Sequence, residues 1–297
     1  DGQVRAIFGN ALGVNAEAAA MVAADKDYTA RLLAAAGLPT PRGLVVFSAG
    51  YADRMRLKNA AVAETLAGID AAEAFAAQTG YPVVVKPNTG SEGRGVRKSA
   101  TPVELRTDLA AALATDDRVR IEEWLPGEEV RAVVFDGAVR IAYGRSAPAV
   151  TGDGRRSVAD LAAERLAALA AAHRGPKLSL GDPRIARCLA AQGLKPRDVP
   201  KTGRTVRLLD SANLSAGGLF RDLTDVLPAA LAALARQAVG EVGLRLAGVD
   251  LIASDQAREG GVAHVLEVNA APGLDYYASQ GPAHRAAALA LLRDVLS

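Results

Sequence analysis

Two short apolar runs late in the chain constrain it more than any other stretch: Leu246-Ala247-Gly248-Val249-Asp250-Leu251-Ile252 and Val265-Leu266-Glu267-Val268-Asn269. Both are rich in Val, Leu and Ile, the pattern of short strands buried in a core. Yet they carry Asp250, Glu267 and Asn269, where a core strand should carry no polar group. Burying an unpaired carboxylate costs several kcal/mol. Two carboxylates brought together also repel each other unless something positive lies between them. A hard divalent cation resolves both problems, since magnesium takes oxygen ligands and binds one or two carboxylates together with substrate phosphates. Strand-end residues facing water would resolve them equally well. On this stretch alone the two readings stand level.

Composition narrows the partners. The 297 residues suffice for two or three modest subdomains, half of them are hydrophobic, and aromatics are only 4%, so the core is aliphatic. A formal net charge of +2 argues against non-specific nucleic-acid binding. The lone Cys188 excludes an intramolecular disulfide and a multi-cysteine zinc site. No apolar run reaches membrane-spanning length and no signal peptide is visible, so the expectation is a cytoplasmic soluble protein without membrane partners. His173, His264 and His284 are isolated in sequence and read as surface or satisfied histidines, not metal ligands.

Local signals supply the elements. Asp25-Lys26-Asp27 opens a helix that Gly37-Leu38-Pro39 ends, and Leu44–Phe47 reads as a strand. Residues 49–66 read as a solvated polar insertion. Val83-Val84-Val85 is a buried strand ending in Lys86, a placement lysine rarely takes without a partner. The stretch from Gly90 to Gly95 follows, with three glycines in six residues. It lacks the Gly-Lys-Ser/Thr ending of a Walker loop and the spacing of a Rossmann fingerprint. It suits a flap over phosphates, or an ordinary glycine-rich turn. Helices are expected over Ala71–Gln78, Val103–Ala114, Val158–Ala172, Arg184–Gln192, Pro228–Val242 and His284–Leu296. Arg120–Leu125 reads as a strand running into a linker, and Asp136-Gly137 is a two-residue hairpin signal between two more strands. Asn213-Leu214-Ser215-Ala216-Gly217-Gly218 is a second glycine-bearing loop, suited to binding a small polar group through backbone N–H.

Taken in order, Asp25-Lys26, Ala36–Gly43, Pro82–Pro87, Val150–Gly154, Asn213–Gly218 with Asp222–Asp225, and Glu267–Gly273 resemble the ATP-grasp ligases. Within that superfamily the chain most resembles the ATP-grasp region of the cyanophycin synthetases, from about Phe8 onward. The resemblance implies an α+β ATP-grasp fold: two α+β subdomains with mostly antiparallel sheets that clasp ATP. It places subdomain 1 at 25–122 and subdomain 2 at 123–297, with a polar inserted segment at 173–204. Residues 1–24 become a lead-in to, or remnant of, an N-terminal domain.

It implies roles as well. Lys26 and Lys86 would contact ATP phosphates, and Gly90, Ser91, Gly93 and Gly95 would close over them. Glu122, Glu123, Trp124 and Leu125 would line the adenine, with Glu122 accepting from its amino group and Glu129 holding the ribose. Asp250, Glu267 and Asn269 would carry Mg2+. Arg131 and Arg145 would steady an acyl phosphate or oxyanion, and Asn213, Ser215, Gly217 and Gly218 would hold the substrate. The implied activity is an ADP-forming carboxylate–amine ligase acting on an amino acid or short peptide, and the resemblance is compatible with a homo-oligomer, since relatives commonly self-associate. A specificity like that of glutathione synthetase or D-alanine–D-alanine ligase is the alternative, and a nucleotide-binding module without turnover is the non-enzymatic one. The relatives' N-terminal and Mur-ligase-like domains are not in this sequence, so single amide formation is expected here, not polymerisation.

Overall fold

The computed structural model describes residues 6–90, 93–172, 178–212, 214–254 and 262–297. Its elements in chain order are α1 (Glu17–Ala24), α2 (Lys26–Ala35), β1 (Gly43–Phe47), α3 (Ala49–Lys58), α4 (Ala60–Glu64), α5 (Ile69–Thr79), β2 (Val83–Pro87), β3 (Arg97–Ser99) and α6 (Pro102–Leu113). Then come β4 (Arg118–Glu123), β5 (Glu128–Phe135), β6 (Ala138–Ser146), β7 (Ala149–Thr151), α7 (Val158–Ala172), α8 (Pro183–Ala191), β8 (Thr205–Arg207) and β9 (Leu219–Asp222). The last are α9 (Ala229–Val242), β10 (Leu246–Ala253), β11 (Ala263–Asn269), α10 (Asp275–Ala278) and α11 (Pro282–Leu296). The fold class is α+β, as the sequence implied.

The chain forms two compact units: Asp1–Ala142 with Thr224–Pro272 and Leu291–Ser297, and Tyr143–Leu223 with Gly273–Ala290. The first holds an antiparallel sheet in the order β1-β4-β2-β3. Helices α5 and α6 cover one face of that sheet, where Val46, Val83, Val85, Ile121, Ala72, Ala76, Leu105 and Leu109 form a core. The first unit also carries β11-β10-β5 and the start of β6, and α9 packs on β10, β11 and β5. Strand β6 continues into the second unit, where Tyr143 to Ser146 pair with β9. The second unit adds the β7–β8 ribbon with α7 and α8, packed around Leu161, Ile185, Leu189, Val206, Leu208 and Leu209.

Several local signals explain these boundaries. The Asp25 side chain accepts from the backbone N–H of Asp27 and Tyr28, capping α2. At the β5–β6 turn, Asp136 (φ 46°) and Gly137 (φ 75°) adopt the positive φ that a type I′ hairpin demands. The solvated insertion expected at 49–66 is instead two helices, α3 and α4. Ser48 caps the first by accepting from Tyr51 N–H, and Asn59 caps the second by accepting from Val62 N–H. These caps outweigh a polar composition without clear periodicity. The short strands β3, β7 and β9 have three or four residues each, too few to show a period.

Candidate active site

The two late runs pair as antiparallel strands, with Asp250 opposite Glu267 and Gly248 opposite Asn269. The register slips between Asp250 and Leu251, so Leu266 bulges; bulges re-aim neighbouring side chains and are frequent beside functional sites. On its other side β10 pairs with β5, placing Arg131 opposite Asp250. Directly paired residues share a face, so Arg131, Asp250 and Glu267 form a row across three strands, with Asn269 beside them. Arg131 forks onto Asp250, through Nε to Oδ1 and through Nη2 to Oδ2 at 2.7 Å. Gly248 permits this, because a Cβ there would lie 3.2 Å from Arg131 Cδ and 3.0 Å from Pro272 Cβ.

Two predicted lysines reach the same neighbourhood. Lys26 Nζ lies 3.9 Å from Glu267 Oε1 and donates to the Gly90 carbonyl at 2.9 Å, tying the helix start to the glycine-rich loop. Asn88 reinforces that tie: its carbonyl and side-chain oxygens accept from the N–H groups of Lys26 and Asp27, both at 3.0 Å. Burial lowers the Lys26 pKa; Glu267 opposes the shift and the charge of Lys86 adds to it. Burial raises the Glu267 pKa; Lys26 opposes that and the carboxylate of Asp250 adds to it. Lys86 pairs with Glu122 at 2.5 Å, both side chains buried. Lys26, Lys86, Glu122, Asp250 and Glu267 therefore belong to one electrostatic neighbourhood, and Lys26, Glu122 and Glu267 line a common crevice with Arg120.

The other predicted residues divide. Trp124 is exposed, with Lys98 Nζ 3.6 Å over its ring. Glu129 lies on β5 opposite Ile252. Gly93 and Gly95 take positive φ in the loop. Glu123 departs from expectation: strand alternation turns its side chain to the face opposite Glu122, where Arg42 holds it through Nη2 at 2.7 Å and backbone N–H at 2.9 Å. Only its backbone stays beside the Trp124–Leu125 segment. In the second unit, Arg145 pairs with Phe220 of β9, and Gly217 and Gly218 lead into that strand. Gly217 (φ 87°) accepts at its carbonyl from Arg165 Nη2 at 2.9 Å. Ser91, Asn213 and the Ser215 side chain lie outside the described residues. Arg120, to which sequence reasoning assigns no role, sits at the centre of the buried ion pairs; its signal in the sequence is a charged residue between two apolar ones, Val119 and Ile121.

The donor set can be tested against magnesium. Among the described residues no three His, Cys, Asp or Glu side chains gather as a metal cage. Two carboxylates and an amide fit a cation that takes its remaining oxygens from a nucleotide. Asn269 Nδ2 is buried without a protein partner among the described residues, as befits a site that a ligand completes. Asp250 would have to exchange its Arg131 partner for the cation.

Comparison with known proteins identifies the fold and the superfamily. The family model "D-ala D-ala ligase C-terminus" matches residues 32–147. A cyanophycin synthetase of Nostoc is 32% identical over 268 residues, 85% of this chain. The chain belongs to the ATP-grasp superfamily. Two solved structures share this ATP-grasp fold. A bifunctional glutathione synthetase from Pasteurella multocida has TM-score 0.52 and 23% identity, covering 92% of this chain and 36% of its own. D-alanine–D-alanine ligase from Bacillus anthracis, complexed with ATP, has TM-score 0.51 and 17% identity, covering 88% of this chain and 59% of its own. The ATP-grasp chain spans only 26% of the Nostoc relative's length. Among its described residues no helix is long and apolar enough to cross a membrane.

Proposed function

We propose that this ATP-grasp chain is an ADP-forming carboxylate–amine ligase acting on an amino acid or short peptide, with subdomains at 25–122 and 123–297. The observation that carries the reading is the gathering of Lys26 and Lys86 with Asp250 and Glu267 in one neighbourhood. Buried cations beside paired carboxylates are what a nucleotide triphosphate and its counter-ion require. The names of relatives and neighbours, cyanophycin synthetase and D-alanine–D-alanine ligase among them, support the same class.

A carboxylate is a poor electrophile. Transfer of the γ-phosphoryl group from ATP to a carboxylate oxygen yields an acyl phosphate and ADP. An amine then attacks the acyl carbon, phosphate leaves, and the amine proton passes to solvent. Lys26 and Lys86 bind phosphate oxygens and offset their charge. The loop containing Gly90, Gly93 and Gly95 closes over the phosphates and excludes water. Glu122 accepts from the adenine amino group, the backbone of Glu123 with Trp124 and Leu125 lines the ring, and Glu129 holds the ribose. Arg131 and Arg145 steady the acyl phosphate. The segment with Gly217 and Gly218 binds the substrate's polar end. Asp250, Glu267 and Asn269 would hold magnesium, which supplies positive charge to the phosphoryl group.

The test is a phosphate-release screen over pairs of amino acids and short peptides, with mass spectrometry of products. Amine-dependent ADP and phosphate with a mass gain of one amide bond is the expected result. AMP and pyrophosphate would reject the mechanism. ATP binding without turnover on any pair would favour a nucleotide-binding module.

A further inference from the structure

Arg120 lies in the middle of β4 and is only 3% exposed. Arginine is almost never so buried unless paired, and this one has three partners on three segments. Its guanidinium donates to Asp27 Oδ1 in the first turn of α2 at 2.8 Å, to Glu122 Oε2 at 3.0 Å and to the Pro41 carbonyl at 3.3 Å. The neighbouring strand also makes room for it. Gly43 stands opposite Glu122, and a Cβ there would meet Ile121 O at 2.5 Å, Glu122 Cβ at 2.9 Å and Arg120 Nη2 at 3.0 Å. Such an arrangement is poorly explained by stability, since apolar side chains of similar volume do as well as a buried ion network or better.

The two oxygens of Glu122 are held differently. Oε2 is held by Arg120, a planar fork wedged against α2 and Pro41; Oε1 is held by Lys86 at 2.5 Å, a point charge on a flexible stem. Resting on the proposed ligase reading, in which Lys86 serves the phosphates, we infer that Arg120 is the positioning residue for base recognition. It keeps Glu122 paired and aimed when Lys86 swings to the nucleotide, leaving Oε1 to accept the 6-amino group of adenine. One cation moves and the other stays. Selectivity for a 6-amino over a 6-oxo purine therefore resides in Arg120 as well as in Glu122.

Isothermal titration with ATP and with ITP, in magnesium, tests this on the chain and on Arg120→Met and Arg120→Lys, with thermal melting alongside. The unaltered chain should prefer ATP by about ten-fold or more, the worth of one buried hydrogen bond to a charged group. Arg120→Met should bring the two affinities to within about two-fold by weakening ATP alone, and Arg120→Lys should restore part of the preference. A merely structural arginine would weaken both nucleotides in proportion, and a folded variant that kept the preference would overturn the inference. If Arg120→Met does not fold, Arg120→Lys decides: a lowered ATP-to-ITP ratio supports the inference and an unchanged ratio overturns it. Equal binding of ATP and ITP by the unaltered chain would overturn this inference alone. Failure to bind either nucleotide would overturn the ligase reading with it.

Discussion

The two compact units handle buried polarity in opposite ways. The first buries charge: Asp27, Lys86, Arg120, Glu122 and Asp250 are all at most 7% exposed, and each has an ionic partner. The second gathers rings, in a chain with only 4% aromatic residues. Tyr143 stacks on Tyr277 with centroids 5.9 Å apart, and His284 meets Tyr277 edge-on at 5.0 Å. Asp222 holds the far side of His284 at 2.9 Å. Ring packing is indifferent to whether a ligand is present. Ion pairs are not, because every cation given to a ligand leaves a carboxylate to be satisfied again. Substitutions in the first unit should therefore change chemistry as well as stability, and those in the ring cluster should change stability alone.

The largest effect is expected from Lys86→Ala. Arg120 still holds Glu122, so the fold should persist, while ADP release falls by about 1,000-fold. Turnover within ten-fold of the original would make the first unit's charges structural only. Asp250→Ala comes next. It strands the Arg131 guanidinium, and urea denaturation should show a loss of about 3 kcal/mol, with turnover down by about 100-fold. Tyr277→Leu sharpens the contrast from the other side. It should cost about 2 kcal/mol of stability yet leave ATP affinity within about two-fold of the original by titration.

The smallest effect concerns Cys188 in the second unit. Its thiol is buried, and burial first, then the Asp210 carboxylate, push its pKa up to about 11. At pH 8 only about one thiol in a thousand is thiolate, so a thiol reagent should label the native protein at least about ten-fold more slowly than the urea-unfolded one. The folded pKa exceeds the ordinary 9.0, so this group's contribution to stability is present below pH 9 and fades as pH rises through 11. Denaturation midpoints across pH 8–11 for Cys188→Ala against the unaltered chain measure that slope.

What could be read from the residues alone was whatever lies within a few positions. The Asp25 cap, the Asp136-Gly137 hairpin and the long alanine-rich helices are local, and each formed within a few residues of the place expected. The oddity of carboxylates in apolar strands was equally visible, and so were Lys26 and Lys86 as cations in search of partners. Which partners they found was not. Arg131 and Asp250 are 119 positions apart and meet through strand register, whereas Lys26 and Gly90, 64 apart, meet where the start of α2 packs beside the loop after β2. Register also turned Glu123 to Arg42 while Glu122 went to Lys86 and Arg120, because adjacent residues in a strand point to opposite faces. The sequence determined which charges this protein must bury; only the tertiary structure decided which charge answers which, since a buried ion is satisfied by whatever the fold places within about 3 Å of it.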